Sequence, residues 1–156
     1  MEAMSSARSN RTAHQEVHMA RTVSSLMTPH PTVVEVTDTL HAVAQTMAQQ
    51  DVGALIVAED GAVVGIVTDR DLVVRGLAAG IGLDAPVGQL ASEELVTVGP
   101  DDDVAEVVHL MRERALRRVP VVEGDQAVGI VTIGDLAVAL DSDSALADIS
   151  AAPPQD

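Results

Sequence analysis

The chain contains no phenylalanine, tyrosine, tryptophan, cysteine or lysine. Without cysteine there are no disulfides, no thiolate nucleophile and no Cys-based zinc site. Without lysine there is no Schiff-base chemistry. Without aromatic rings the usual platform for stacking single-stranded bases is missing. The core must be built from Val, Leu, Ile, Ala and Met. All nine basic residues are Arg, set against 24 Asp and Glu, for a net charge of −15. That balance opposes nucleic acids and anionic membranes as partners. No apolar run approaches the ~18 residues of a membrane span. Residues 1–20 lack the apolar stretch of a signal peptide, so the expected location is cytoplasmic. No Gly-x-Ser-x-Gly and no phosphate loop ending in Gly-Lys-Ser/Thr occurs, so no enzyme is expected.

What is present is a repeat. Gly65-Ile66-Val67-Thr68-Asp69-Arg70-Asp71-Leu72 returns as Gly129-Ile130-Val131-Thr132-Ile133-Gly134-Asp135-Leu136, 64 residues later. The register holds without a gap: Val23 matches Val87, Val34 matches Val98, Val43 matches Val107, Met47 matches Met111 and Val57 matches Val121. A repeat sets the unit of folding, and two copies facing each other about a pseudo-two-fold axis create two equivalent clefts.

Each half follows the same order. A lead-in ends at Leu26-Met27 or Leu90-Ala91. A short strand follows over Thr32–Val36 or Val96–Val98. A helix then opens at Asp38 or Asp102, both suitable N-caps. Leu40, Val43 and Met47, matched by Val104, Val107 and Met111, recur on one helical face. Two strands, Ala54–Ala58 and Val63–Val67 or Val119–Val122 and Val128–Val131, flank a turn at Glu59-Asp60-Gly61 or Glu123-Gly124-Asp125. A second helix covers Asp69–Ala78 or Ile133–Leu140. The expected division is a flexible arm (1–20), a first motif (21–80), a second motif (81–140) and a disordered acidic tail (141–156).

This β-α-β-β-α order, the Val-Gly-Ile-Val-Thr-x-x-Asp ending of both halves, and Arg117-Arg118-Val119-Pro120-Val121-Val122 resemble the CBS domain. The resemblance covers residues 21–140. It implies an α/β fold of two β-α-β-β-α CBS motifs packed about a pseudo-two-fold axis as one CBS pair, or Bateman module. Thr68 to Gly80 is similar to stand-alone bacterial CBS-pair proteins of the hypoxic-response type. The resemblance implies a regulatory sensor that takes AMP, ADP, ATP or S-adenosylmethionine as a ligand, with no required cofactor. It also implies a disc-like homodimer formed through exposed apolar helix faces. The alternatives are a ligand-free dimeric interaction or stress-response scaffold, and an accessory subunit docking on an unidentified protein partner.

The residues supply a physical reason for a nucleotide. Thr68 and Thr132 sit at strand-to-helix junctions, where free N–H groups and the helix dipole favour an anion. Asp71 and Asp135 follow in the first turn, where a carboxylate can accept from both hydroxyls of a ribose. Gly65 and Gly129 admit a close neighbour. By the resemblance, the residue before each Asp touches phosphate. It is Arg70 in the first half, and Gly134 departs from the pattern in the second. A phosphate-binding Arg three residues before the proline of strand two is present as Arg117, where the first half has Gly53. An adenine would lie against Val33 or Thr97 and meet Ala54-Leu55 or Arg118-Val119. Thr-x-x-Asp at a helix start is equally a capping arrangement, and both readings stand at this point. The −15 charge repels ATP more than AMP.

Other candidates read more plainly. His14 and His18 are four residues apart in the arm, but the intervening Glu16 is misplaced for a zinc-protease helix. His41 and His109 are solvated or partly buried side chains. Asp101-Asp102-Asp103 is an N-cap with first-turn acids. Arg112 and Arg114 pair with Glu106, Glu113 or nearby acids.

Overall fold

The structure is a computed structural model that describes residues 21–91 and 94–140. The arm with His14 and His18, and the acidic tail, lie outside the described residues. A 3-10 turn, Val23–Ser25, precedes β1 (Thr28–Pro29), β2 (Val33–Glu35), α1 (Leu40–Gln50), β3 (Ala54–Glu59) and β4 (Ala62–Thr68). Next comes α2 (Asp69–Asp71), continued by a π-helical segment, Leu72–Leu77. A second 3-10 turn, Val87–Gln89, leads to α3 (Val104–Glu113), β5 (Arg118–Glu123), β6 (Gln126–Thr132) and α4 (Ile133–Leu140).

The two halves are alike down to single hydrogen bonds. Each hairpin is antiparallel and carries a bulge at the same repeat position, Val57/Ala58 and Val121/Val122. β2 runs parallel to β3, and its counterpart is the single parallel bridge Val98 to Val121. Each half has its own core. Val34, Leu40, Val43, Met47, Leu55, Val57 and Val67 pack in the first. Their partners 64 positions on, Val98, Val104, Val107, Met111, Val119, Val121 and Val131, pack in the second. Strand alternation explains the choice, since Leu55 and Val57 share one face. Ile56 and Ala58, on the opposite face, are also buried.

The lead-in segments are exchanged. Val23 is fully buried in the second core, and Val87 and Leu90 are buried in the first. Val23 N donates to Asp102 O at 3.0 Å, and Val104 N donates to Arg21 O at 2.9 Å. The mirror contacts are Val87 N to Asp38 O at 2.8 Å and Leu40 N to Ala85 O at 3.0 Å. Each lead-in thus satisfies an orphan N–H at the start of the other half's helix and bonds the carbonyl just before its N-cap. β1 completes the exchange by pairing antiparallel with β6, Thr28 opposite Ile130 and Pro29 opposite Gly129.

Several expectations are corrected. The helix N-caps are Thr39 and Asp103, one residue later than expected. Asp38 and Asp102 instead fold back, Oδ2 accepting from Glu35 N at 2.9 Å and from Gly99 N at 2.7 Å. A carboxylate three residues beyond a strand end closes the turn before the helix begins. The strand expected over Val96–Val98 reduces to one bridge. The helix expected over Asp69–Ala78 is α-helical only at its start. It then widens, with Ala78 N bonding Val73 O at 2.8 Å. The widening falls on a stretch with two β-branched residues, Val73 and Val74, and one glycine, which resist a regular α-helix. α4 starts where expected, at Ile133, and runs to Leu140, the last of the described residues.

Gly129 marks the cost of the exchange. A Cβ there would collide with Met27 Sδ and stand 3.1 Å from the Thr28 carbonyl oxygen. Gly82 has open space around it. Gly129→Ala should therefore lower unfolding stability by about 1–3 kcal/mol. Gly82→Ala should change it by less than about 0.5 kcal/mol. Urea denaturation followed by far-UV circular dichroism measures both, and an unchanged midpoint for Gly129→Ala would show that β1 is not held against β6.

Candidate functional site

Both Thr-x-x-Asp segments fold identically. In the first, Thr68 N donates to Asp71 Oδ2 at 2.9 Å and the Thr68 hydroxyl donates to the same oxygen at 2.7 Å. Asp71 N donates back to Thr68 Oγ1 at 3.2 Å. In the second, Thr132 N and hydroxyl each reach Asp135 Oδ2 at 2.8 Å, and Asp135 N returns to Thr132 Oγ1 at 3.2 Å. This is a reciprocal capping box, so the capping reading is geometrically correct. It uses only Oδ2. Among the described residues Oδ1 of Asp135 makes no hydrogen bond, and that of Asp71 has only Arg75, 3.9 Å away. One carboxylate can cap its helix with one oxygen and present the other to a ligand.

The strand registers distribute the remaining candidates. Ala54 pairs with Thr68, and Arg118 pairs with Thr132, so each capping threonine has a β3 or β5 starting residue at its side. Leu55 and Val119 follow, but both side chains are buried in the cores, leaving only their backbone for a ligand. Val33 is 42% exposed and pairs with Ile56, two residues along β3 from Ala54. Thr97 is exposed beside the Val98 bridge. Arg70 is exposed at the start of α2.

The two arginines before Val119 diverge. Arg118 crosses between halves. Its Nη2 lies 3.5 Å from where a Cβ on Gly53 would sit, and Asp69 Oδ2 lies 3.3 Å from the same point. The bare Gly53 leaves room for both side chains. Arg117 lines a separate pocket of about 430 Å³ with Met111, Leu116, Ile133 and Leu136.

Thr132, Gly134 and Asp135 line a larger cleft of about 710 Å³. Its other walls are Arg21, Ser25 and Leu26 from the exchanged lead-in, and Val138 and Ala139 from α4. The Arg21 guanidinium donates to the Ala139 carbonyl. Sequence reasoning missed these five residues because, although it placed the clefts between the motifs, it drew candidate contacts only from the strands and strand-to-helix turns. A faint signal existed in Val23 and Val87, which match across the repeat yet belong to no strand or helix of their own unit.

The bland candidates settle simply. His109 contacts Glu113 at 3.1 Å and Arg114 contacts Glu94 at 3.3 Å, all of them exposed. His41 is exposed, and Asp103 caps α3.

The family model of the CBS domain matches residues 23–76 and 87–142. The chain belongs to the CBS-domain family. Hypoxic response protein 1 of Mycobacterium tuberculosis is 40% identical over 118 residues, 74% of this chain and 82% of that protein. The crystal structure of Hypoxic Response Protein I with two coordinated zinc ions is similar at a TM-score of 0.69 and 39% identity. The match covers 75% of this chain and 97% of that one. The crystal structure of CBSX2 in complex with AMP is similar at a TM-score of 0.65 and 26% identity, over 79% and 98% of the two chains. The present fold is a CBS pair, two motifs of mixed α/β structure. No helix among its described residues is long and apolar enough to cross a membrane.

The capping boxes carry a stability prediction for this CBS pair. Asp71→Ala and Asp135→Ala each remove the acceptor of two hydrogen bonds at a half-buried helix start. Each should cost about 1–2 kcal/mol, measured by chemical denaturation. A cost below a few tenths would mean that the caps do not hold in solution.

Proposed function

We propose that this CBS pair is a regulatory sensor module that binds an adenosine-containing ligand in the clefts behind its Thr-x-x-Asp turns. The observation that carries the reading is Asp135, which lines a cleft of about 710 Å³ together with Arg21 and caps its helix through Oδ2 alone among the described residues. Asp135 Oδ1 would accept from ribose hydroxyls. The Thr132 region and Arg21 would meet a phosphate, and Leu26 and Val138 offer aliphatic contact to a base. The likeness to the AMP complex of CBSX2 supports the ligand class. Among AMP, ADP, ATP and S-adenosylmethionine, AMP suits a −15 chain better than ATP, because fewer phosphate charges meet the acidic field. Ligand binding would signal by favouring one packing of the two halves or of a dimer, to the extent that affinity differs between states.

A second copy of the chain is the proposed partner. Val73 and Leu77 after α2, and Ile133 and Leu140 on α4, expose between 46% and 71% of their surface. Exposed apolar side chains on the closing helix of each motif suit a homodimer. Zinc does not fit the described residues. The chain has no Cys, and no three His, Asp or Glu side chains among them are placed to hold a metal.

The test is equilibrium dialysis of ligand-stripped protein against AMP, ATP and S-adenosylmethionine, read at 260 nm, where an aromatic-free chain absorbs almost nothing. Saturable AMP uptake is expected, weakened at least about tenfold in Asp135→Ala, as loss of one charged hydrogen bond implies. No saturable uptake up to millimolar ligand would leave the capping boxes as purely structural and the protein as a ligand-free dimeric scaffold.

A further inference from the structure

The repeat relates the two clefts, yet their furnishing differs: Arg21, Ser25, Gly134 and Ala139 of the second stand where the first half has Ala85, Gln89, Arg70 and Arg75. Arg75 lies on the π-helical segment, where Ala139 lies on α-helix. The second-half cleft is bounded by Leu26 on the lead-in side and by Asp135 and Ala139 on the helix side. Their counterparts, 64 positions away in the repeat, are Leu90, Asp71 and Arg75. In the first half Arg75 spans these walls. Its Nη1 donates to the Leu90 carbonyl at 2.8 Å and stands 3.9 Å from Asp71 Oδ1. A single side chain thus reaches from the helix to the opposite lead-in. On the way it confronts the oxygen that a ribose would need.

Ala139 has nothing to place in the corresponding space. Asp135 has no ion pair among the described residues, and the cleft stays open. Arg21 also touches both walls there, but at the Ala139 carbonyl, one helical turn beyond Asp135. It lines the cleft without covering the carboxylate. The guanidinium of Arg75 already supplies what a ligand would bring to the first cleft, namely hydrogen-bond donors for Asp71 and for the Leu90 carbonyl. A nucleotide entering that cleft would have to displace both contacts, whereas one entering the second displaces neither counterpart.

The geometry points to a single nucleotide site per chain, in the second-half cleft, with Arg75 as the internal occupant that closes the first. This inference rests on the nucleotide reading above and adds which cleft is used and which residue decides it. It also makes Arg75 a specificity-determining residue, acting on the number of sites rather than on the affinity of the occupied one.

The experiment counts AMP per chain at saturation by equilibrium dialysis, using full-length wild type, Arg75→Ala, Arg75→Gln and Ala139→Arg. Thermal melts confirm that each is folded. The expected counts are one for wild type, two when Arg75 is shortened to Ala, and none for Ala139→Arg, which places an arginine at the corresponding repeat position beside the second cleft. Arg75→Gln keeps part of the side chain and serves if Arg75→Ala does not fold; it should also exceed one. Two equivalents bound by wild type, or one equivalent retained by folded Ala139→Arg, would overturn the inference and leave the nucleotide reading intact. No binding by any of the four proteins would overturn the nucleotide reading and this inference with it.

Discussion

The structure depends on the reciprocal exchange of two lead-in segments. Neither half closes its own core. Val23 fills the second, and Val87 and Leu90 fill the first. Burying one such side chain contributes about 1.5–3 kcal/mol, a large share of the margin by which a domain is stable. The exchange also fixes geometry. Backbone bonds from Val23 to Asp102 and from Val87 to Asp38 hold each lead-in against the start of the other half's helix. The antiparallel pairing of β1 with β6 then follows, and Gly129 is the residue that tolerates it.

The cleft inherits its composition from that exchange. Thr132 and Asp135 are set by the strand-to-helix turn of their own motif, through local hydrogen bonds that any Thr-x-x-Asp at a helix start can make. What faces them is not local. Arg21, Ser25 and Leu26 arrive from more than a hundred residues away. Arg118 makes the reverse crossing, toward Gly53 and Asp69. Capping and binding therefore divide one carboxylate between them. One oxygen belongs to the folding of the motif, and the other to the space that the two halves create together.

Legibility in the sequence followed the range of the interaction. The repeat, the helical faces of Leu40, Val43 and Met47, both hairpins and the start of α4 rest on local pattern, and each could be read directly. The helix starts were misread by one residue because Asp38 and Thr39, like Asp102 and Asp103, both have oxygens suited to a cap. Only the turn geometry shows which of them faces the helix. The widening after α2 was invisible because hydrophobic periodicity does not distinguish i+4 from i+5 bonding over a single turn. The far walls of the cleft were invisible because a sequence pattern records which side chains are apolar, not which half of a repeat they complete.

The exchange also has a temporal side. Translation makes the lead-in with Val23 well before β6, which pairs with β1, and before Leu136 of the same core. The first core, in turn, waits for Val87 and Leu90. A nascent chain that has emerged only through β4 has a hairpin and a helix but no completed core of either kind. Contacts of such high sequence separation slow folding, because loop-closure entropy is spent before burial rewards it. The two cores are therefore completed at different points of synthesis, the first once Leu90 is made and the second only when β6 and Leu136 can meet Val23.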